Sequence, residues 1–538
     1  MKKIVYIYAL LSCGMMACSK DYLERLPESS VTPEASFKTE KDLALFTKSF
    51  YDAALPSAEG IYNESVDNIV KTTLDDELTG KRQVPISGGG WTWANLRNIN
   101  YFLANCFNTV SETTAAPYAA EARFFRAYFY FDKLKRFGDV PWYDKVIDQN
   151  DEEQLKKARD PRTLVVSNIL ADLDYAIANL SATKSDEKVT KWTALALKSR
   201  VALFEGTFRK YHTEFNLTDA NGLLEKAADA ASKLMEGAQY SVYNAAGTDS
   251  YGALFYSVNS LPQEVILARK FSDALQIWHN VNYYTITASY GKPGLDKNLV
   301  DSYLMKDGTR FTDKSNYQTM MFKEEVLNRD PRLSQTIRTP GYKRIGGAAV
   351  VAPNFGNSVT GYQLIKFVGD VKYDNYNRSE NDMPIFRYGE VLLNYAEAQN
   401  ELSGPSNEVL ASLNQIRTRA NMPSVEQTFA LNGWAMNQSG LRTFIRHERR
   451  IELAGEGLRY FDILRWKIGE QVLQGPIYTV HAPDGIASIS TENGHKNKYL
   501  KTVVDTRYFN NPKFYVWPIP QSAIDASKGV LVQNPLWK

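Results

Sequence analysis

The sequence predicts a mostly α-helical protein with a large irregular α+β region packed on its helical scaffold. Three observations carry that expectation. Apolar residues recur at helical spacing through much of the first 240 and the last 150 or so positions. Residues 247–383 lose that period while glycine, tyrosine, asparagine and serine rise, and short strand-like pieces appear at 264–268 and 362–367. That region is too long for structureless loop inside one domain. At 538 residues the chain has ample interior to bury.

In chain order, the N-terminus reads as a targeting segment. Lys2 and Lys3 precede a largely apolar run, too short for a membrane span, that ends Met15-Met16-Ala17-Cys18. The expectation is a signal over residues 1–17, a lipid on Cys18, and a polar tether over residues 18–36. Cys13 is the rival acceptor, but it leaves a very short apolar core. At full stretch the tether reaches ~60 Å. With Cys18 acylated and Cys13 removed, Cys106 is the remaining cysteine of three, so no internal disulfide is expected. Its apolar neighbours Leu103 and Phe107 mark it as a small buried group.

Thr39 and Asp42 form a Thr-x-x-Asp capping pattern ahead of Leu43, Phe46 and Phe50. Helices are then expected over residues 91–110, 119–136, 163–180, 192–211 and 223–235. Gly138, Gly206 and Gly237 read as helix ends. Their spacings, 68 and 31, suggest a tetratricopeptide-like repeat. After the irregular region, helices resume over 388–402. Gly404-Pro405 breaks the run, and Ser406 caps the next helix to about Arg419. The aromatic, proline-containing tail from Thr502 onward is expected to wrap the body in extended form.

Residues 441–467 are the densest stretch. Two apolar helical runs flank Ala-Gly-Glu-Gly, which suggests a tight helical hairpin turned at Gly455 or Gly457. Glu448 falls on the apolar stripe with Glu452 one turn on, and a buried carboxylate needs a partner. Arg449, Arg450, Arg459 and Arg465 lie close in sequence. The expectation is a structural ion-pair network that sets how two helices cross, not an acid/base pair.

The runs 448–453 (ERRIEL) and 456–466 (EGLRYFDILRW) resemble the C-terminal signature of the SusD/RagB family. Residues 384–398 (PIFRYGEVLLNYAEA), 413–420 (LNQIRTRA), 517–520 (WPIP) and 533–537 (QNPLW) support it in the right order. The resemblance covers nearly the whole chain. It implies a SusD-like, tetratricopeptide-like scaffold, divided as an N-terminal helical part (37–240), an irregular ligand-binding part (241–384), and a C-terminal helical part with its tail (385–538). It also implies an outward-facing outer-membrane lipoprotein that captures nutrients, mostly glycans, for a SusC-like TonB-dependent transporter.

Composition and motifs narrow the chemistry. A net charge of +2 gives no bias toward nucleic acid. The chain has no nucleophile elbow, phosphate loop or dinucleotide fingerprint. His447-Glu448 lacks the second histidine of a zinc protease, and the five histidines are scattered, so neither metal nor cofactor is expected. Residues 374–382 (DNYNRSEND) hold many oxygen ligands but read as a solvated turn.

With 32 Tyr and 9 Trp, two stretches suit a sugar, whose ring faces want stacking and whose hydroxyls want paired hydrogen bonds. These are residues 75–93 and 271–290. Carried over from the resemblance, the expected ligand-binding residues are Asp76, Arg82, Trp91, Trp278, Tyr283 and Tyr284. Non-catalytic oligosaccharide capture is the primary reading. Peptide capture, as on the RagB side of the family, and a surface glycoside hydrolase using Asp75 or Asp76 are the alternatives.

Overall fold

Thr39 opens the first helix as the capping pattern requires. Its backbone N–H donates to the Asp42 carboxylate at 2.9 Å, and its hydroxyl accepts from Asp42 N–H at 3.3 Å. The computed structural model describes residues 37–62, 64, 66–148, 150–481, 503–509 and 512–538. The signal segment, Cys13, Cys18 and the tether lie outside the described residues. Helix α1 spans Glu40–Ala54. It is followed by α2 (Ala94–Asn105), α3 (Glu112–Phe137), α4 (Arg162–Asn179), α5 (Lys191–Tyr211) and α6 (Ala220–Glu236).

Two of these differ instructively from expectation. Trp91 and Trp93 precede α2, because Gly88, Gly89 and Gly90 all hold left-handed φ (73°, 56°, 82°) and keep the chain in loop. Gly206 is not a helix end but sits inside α5, so the glycine spacing carries no repeat register. A Cβ there would stand 3.0 Å from Leu224 Cγ and 3.1 Å from the Ala220 carbonyl of α6. Glycine at this position lets the two helices approach closely.

Successive helices stack into one scaffold. Helix α3 packs on α1, α2 and α4, α4 on α5, and α5 on α6. The scaffold then skips the irregular region, and α6 packs directly on α7 (Tyr388–Ser403). Helix α7 packs on α8 (Asn407–Arg419), which Ser406 caps by accepting from Val409 N–H at 3.3 Å. It also packs on α10 (Gln438–Glu452), which follows α9 (Val425–Asn432). One apolar core runs through this stack from Phe37 to Leu453. Cys106 is buried in it, and burial pushes its thiol up to about 11, so it is an inert filler.

The irregular region is zipped at both ends. Strand β2 (Val265–Arg269) pairs antiparallel with β4 (Met383–Arg387), which runs straight into α7. Strand β1 (Ile69–Val70) pairs with β3 (Gly294–Leu295), tying the N-terminal half to the region. The expected strand at 362–367 makes single bridges only, Gly294 to Gln363 and Ile337 to Leu364. Left-handed φ at Gly361 (84°) and Phe367 (67°) turn the chain at both its ends. A second core, with Tyr251, Phe255, Phe322 and Tyr362, joins the first elements to Ile451 and Ala454.

The charged C-terminal stretch forms an ion network, but with other partners than sequence proximity suggests. Glu448 accepts from Arg332 at 2.6 Å and Arg417 at 3.0 Å. Glu452 meets Arg332 at 3.0 Å, Arg387 at 2.7 Å, and Arg419. These arginines come from the irregular region, the β4–α7 junction and α8. All four nearby arginines serve other acids: Arg449 binds Asp462, Arg459 binds Asp67 and Arg465 binds Glu397. Arg450 also binds Asp67.

Gly455 and Gly457 both take φ of 76° and reverse the chain as expected. The following helix α11 (Arg459–Arg465) packs chiefly on α5; the Glu448 and Glu452 pairs join distant segments, while Arg449 and Asp462 tie α10 to α11. The tail is not wholly extended. Strand β6 (Val503–Arg507) pairs with β5 (Gly475–Tyr478), and a short helix forms over Gln521–Ala526. It wraps the body through Trp517 N–H to the Arg136 carbonyl (2.7 Å) and Gln521 N–H to the Pro85 carbonyl (2.9 Å).

Candidate functional site

Beyond β2 the chain alternates buried amide-type anchors with outward rings. His279 and Asn282 are buried. His279 bonds the Asn381 carbonyl through Nε2 at 3.0 Å, and Asn282 Nδ2 donates to Asp374 at 3.1 Å. A backbone bridge joins His279 and Ser379 in antiparallel sense. It sets residues 278–283 beside 376–378, and three side-chain pairs line up along it. Arg378 lies over the Trp278 ring at 5.1 Å. Asn280 Nδ2 donates to Asn377 Oδ1 at 2.9 Å. Tyr283 meets Tyr376 edge to face at 5.6 Å.

Tyr290 extends the row, 5.3 Å from Tyr283 and 5.6 Å from Tyr284. Tyr376 and Tyr290, which both touch Tyr283, are 60% and 48% exposed. Trp278 anchors its indole N–H on Asp273 at 2.8 Å. Ring faces, amides, a guanidinium and a carboxylate therefore share one open surface.

Tyr284 stands behind the row, edge-on to Tyr62 at 6.2 Å. Burial first, then Tyr290 and Asp75, pushes its hydroxyl up to about 12. Gly291 folds against this ring, where a Cβ would lie 2.4 Å from Cε2. Asp75 lies close enough to Tyr284 for its charge to act on that hydroxyl. Asp75 is half exposed and paired with Lys71 at 2.9 Å, and Asp76 beside it is exposed.

The other two expected residues go elsewhere. Arg82 is 8% exposed, paired with Glu77 at 2.5 Å and stacked over Trp517 at 4.1 Å. Trp91 packs edge-on against Trp93 (5.4 Å) and Phe137 (4.8 Å), and Phe137 meets Trp517 at 6.4 Å. Arg82 and Trp91 thus gather where the tail crosses the end of α3. They do not join Trp278, Tyr283 and Tyr284. Tyr376 and Arg378 lie outside the expected stretches, because no local signal connects position 283 with 376; Tyr290 closes the expected stretch 271–290.

The solvated turn expected at 374–382 is exposed over residues 375–378, but its flanks are built into the fold. Ser379 and Asn381 are fully buried, and Asp374 and Asp382 are committed to Arg344 (2.6 Å) and Lys270 (2.5 Å). Among the described residues no cluster of His, Cys, Asp and Glu could hold a metal. His447 bonds the Ser302 carbonyl at 2.7 Å, and Glu448 is spent on two arginines. No described helix is long and apolar enough to cross a membrane.

Known proteins share this architecture. The chain is 25% identical to a SusD-like protein of Bacteroides ovatus, covering 100% of this chain and 97% of that one. It is 23% identical to a SusD-like protein of Formosa agariphila, covering 89% and 92%. Among solved structures, a SusD-like protein of Bacteroides fragilis superposes with a TM-score of 0.75 at 23% identity, over 95% of this chain and 100% of that one. A SusD-like carbohydrate-binding protein of the same species gives 0.74 at 24%, over 94% and 100%. A laminarin-binding SusD-like protein gives 0.59 at 19%, over 93% and 100%. A family model described as starch-binding, associating with the outer membrane, matches residues 21–203, and the SusD family model matches residues 263–537. With that match over more than half its length, and the helical scaffold to go with it, the chain belongs to the SusD/RagB family.

Proposed function

We propose that this protein captures oligosaccharide at the cell surface without cleaving it and passes it to a SusC-like TonB-dependent transporter in the outer membrane. The observation that carries the reading is the row of paired side chains Trp278–Arg378, Asn280–Asn377 and Tyr283–Tyr376. Open rings stack on the C–H faces of sugars, while the amides and the guanidinium meet hydroxyls. The carbohydrate- and laminarin-binding relatives support the ligand class. The outer-membrane description of the family supports the place. Capture rather than cleavage fits the pairing of Asp75 with Lys71, which neutralises it.

The test is titration with laminari-, malto-, xylo- and mannohexaose, with product analysis of each mixture. Binding of at least one without new reducing ends is expected. Trp278→Ala and Tyr283→Ala should each weaken it about tenfold, roughly 1.4 kcal/mol, with unchanged melting temperature. Tight binding in both variants would overturn the placement, and new reducing ends would overturn the non-catalytic reading. Pull-down from gently solubilised membranes should recover a large β-barrel transporter with it.

A further inference from the structure

A large cavity of about 1,450 Å³ shares no lining residue with the Trp278–Tyr376 row. One wall is the helix Lys297–Ser302 and the turns that follow at 311–319. The other walls are the start of α10, and β5 with the residues that continue it. Phe311, Tyr317, Trp434, Phe444 and Tyr478 face it, with Tyr478 49% exposed at the β5 side. The volume exceeds the ~300–1,000 Å³ of ordinary small-molecule sites, so it suits a ligand longer than one ring.

Its charges cancel locally. Asp296 pairs with Arg507 at 2.6 Å, Asp301 with Lys297 at 3.0 Å, and Arg310 with Asp313 at 3.1 Å. Behind the wall, Glu325 on Lys297 (2.7 Å) is balanced by Arg329, which lies over the Phe311 ring at 3.7 Å. His447 donates Nε2–H to the Ser302 carbonyl at 2.7 Å, and burial holds its pKa below the usual value. Each Asp, Lys and Arg lining the cavity is thus paired with an opposite charge, and the rings of Tyr317, Trp434 and Tyr478 line it beside them.

From this geometry we infer a second binding site, one that takes an uncharged oligosaccharide segment. The inference rests on the glycan-capture reading for its ligand class, but on none of that row's residues. A charged sugar would meet no uncompensated partner here and would lose hydration for nothing. A neutral chain would stack on rings and bond amides.

The test uses the full chain labelled with 5-fluorotryptophan, with signals assigned by Trp434→Phe and Trp278→Phe. It is titrated with laminari-, malto-, xylo- and mannohexaose and with hexagalacturonate. A neutral hexasaccharide should move the Trp434 signal saturably, and the movement should persist in Tyr283→Ala. Tyr478→Ala, at an exposed position that can be truncated without unfolding, should weaken that response about tenfold. The site is overturned if no neutral hexasaccharide moves Trp434, if hexagalacturonate moves it more strongly, or if Tyr283→Ala abolishes the movement. Trp434 moving while Trp278 stays silent would remove the row as the capture surface and leave this site standing. Trp278 moving alone would do the reverse.

Discussion

Glu448→Ala should destabilise the fold by a calculable amount without touching the glycan row. Glu448 belongs to a connected buried set in which Glu264, Asp330, Glu448, Glu452 and Glu456 face Arg332, Lys366, Arg387, Arg417 and Arg419. Five acids meet five bases, so removing one leaves a net buried positive charge. Arg332 would keep Asp330 and Glu452. Arg417 would keep only neutral partners, the Pro423 carbonyl at 2.5 Å and the Thr428 hydroxyl at 2.7 Å. Leaving one partner of a buried pair uncompensated costs ~3–5 kcal/mol.

Unfolding entropy of ~2.1 cal/mol/K per residue over some 500 residues comes to ~1 kcal/mol/K, so the melting temperature should fall by about 3–5 °C. The modest shift reflects the size of the molecule, not weakness of the pair. Differential scanning calorimetry of Glu448→Ala, and of the double variant Glu448→Met/Arg417→Met, reads it. The double variant removes both charges and should recover part of the loss. A Glu448→Ala protein melting within 1 °C of the parent would refute the network's structural role. So would one that is equally stable but has lost glycan binding.

The same carboxylates make acid the expected weak side of the fold. Burial opposes ionisation of Glu448, Glu452 and Glu456, but the arginines and Lys366 around them outweigh it and hold all three below the usual range. Their contribution is therefore complete above the unfolded value of ~4.3 and is lost as pH falls below it. Asp301, raised to about 6 by burial, works in the opposite sense and sheds stability as pH rises from its unfolded value toward 6. Melting temperature measured against pH should fall steeply below ~4, and less steeply in Glu448→Ala; an equal slope would contradict this. Cys18→Ala should release the protein from membranes in a fractionation assay, whereas Cys13→Ala should leave it anchored, and the reverse pattern would name Cys13 as the acceptor.

The helices and their order could be read locally because a helix is a local object. Its apolar period recurs within a turn, and its caps lie within three residues, as Thr39 with Asp42 and Ser406 with Val409 show. The buried glutamates were legible for the same reason: Glu448 falls on an apolar stripe, so it had to find a cation. Which cation was not legible. Arg332 and Arg417 lie 116 and 31 positions away, and only the docking of the irregular region on α8 and α10 brings them to one carboxylate.

Gly206 shows the same divide. Glycine inside a periodic run reads as a stop, but the close approach of α6 makes it a contact. In the candidate site, the stretch 271–290 could be picked from composition, as rings alternating with amides, and the family resemblance pointed to Trp278, Tyr283 and Tyr284 within it. Their partners Tyr376, Asn377 and Arg378 could not, because an isolated antiparallel bridge at His279 and Ser379 sets that register across a hundred residues. Arg82 and Trp91 had the right chemistry in sequence, yet the tail's Trp517 claims that corner of the molecule. The types of side chain and the local elements thus belong to the sequence, whereas the choice of which rings stay open to a ligand belongs to long-range packing, which decides what covers them.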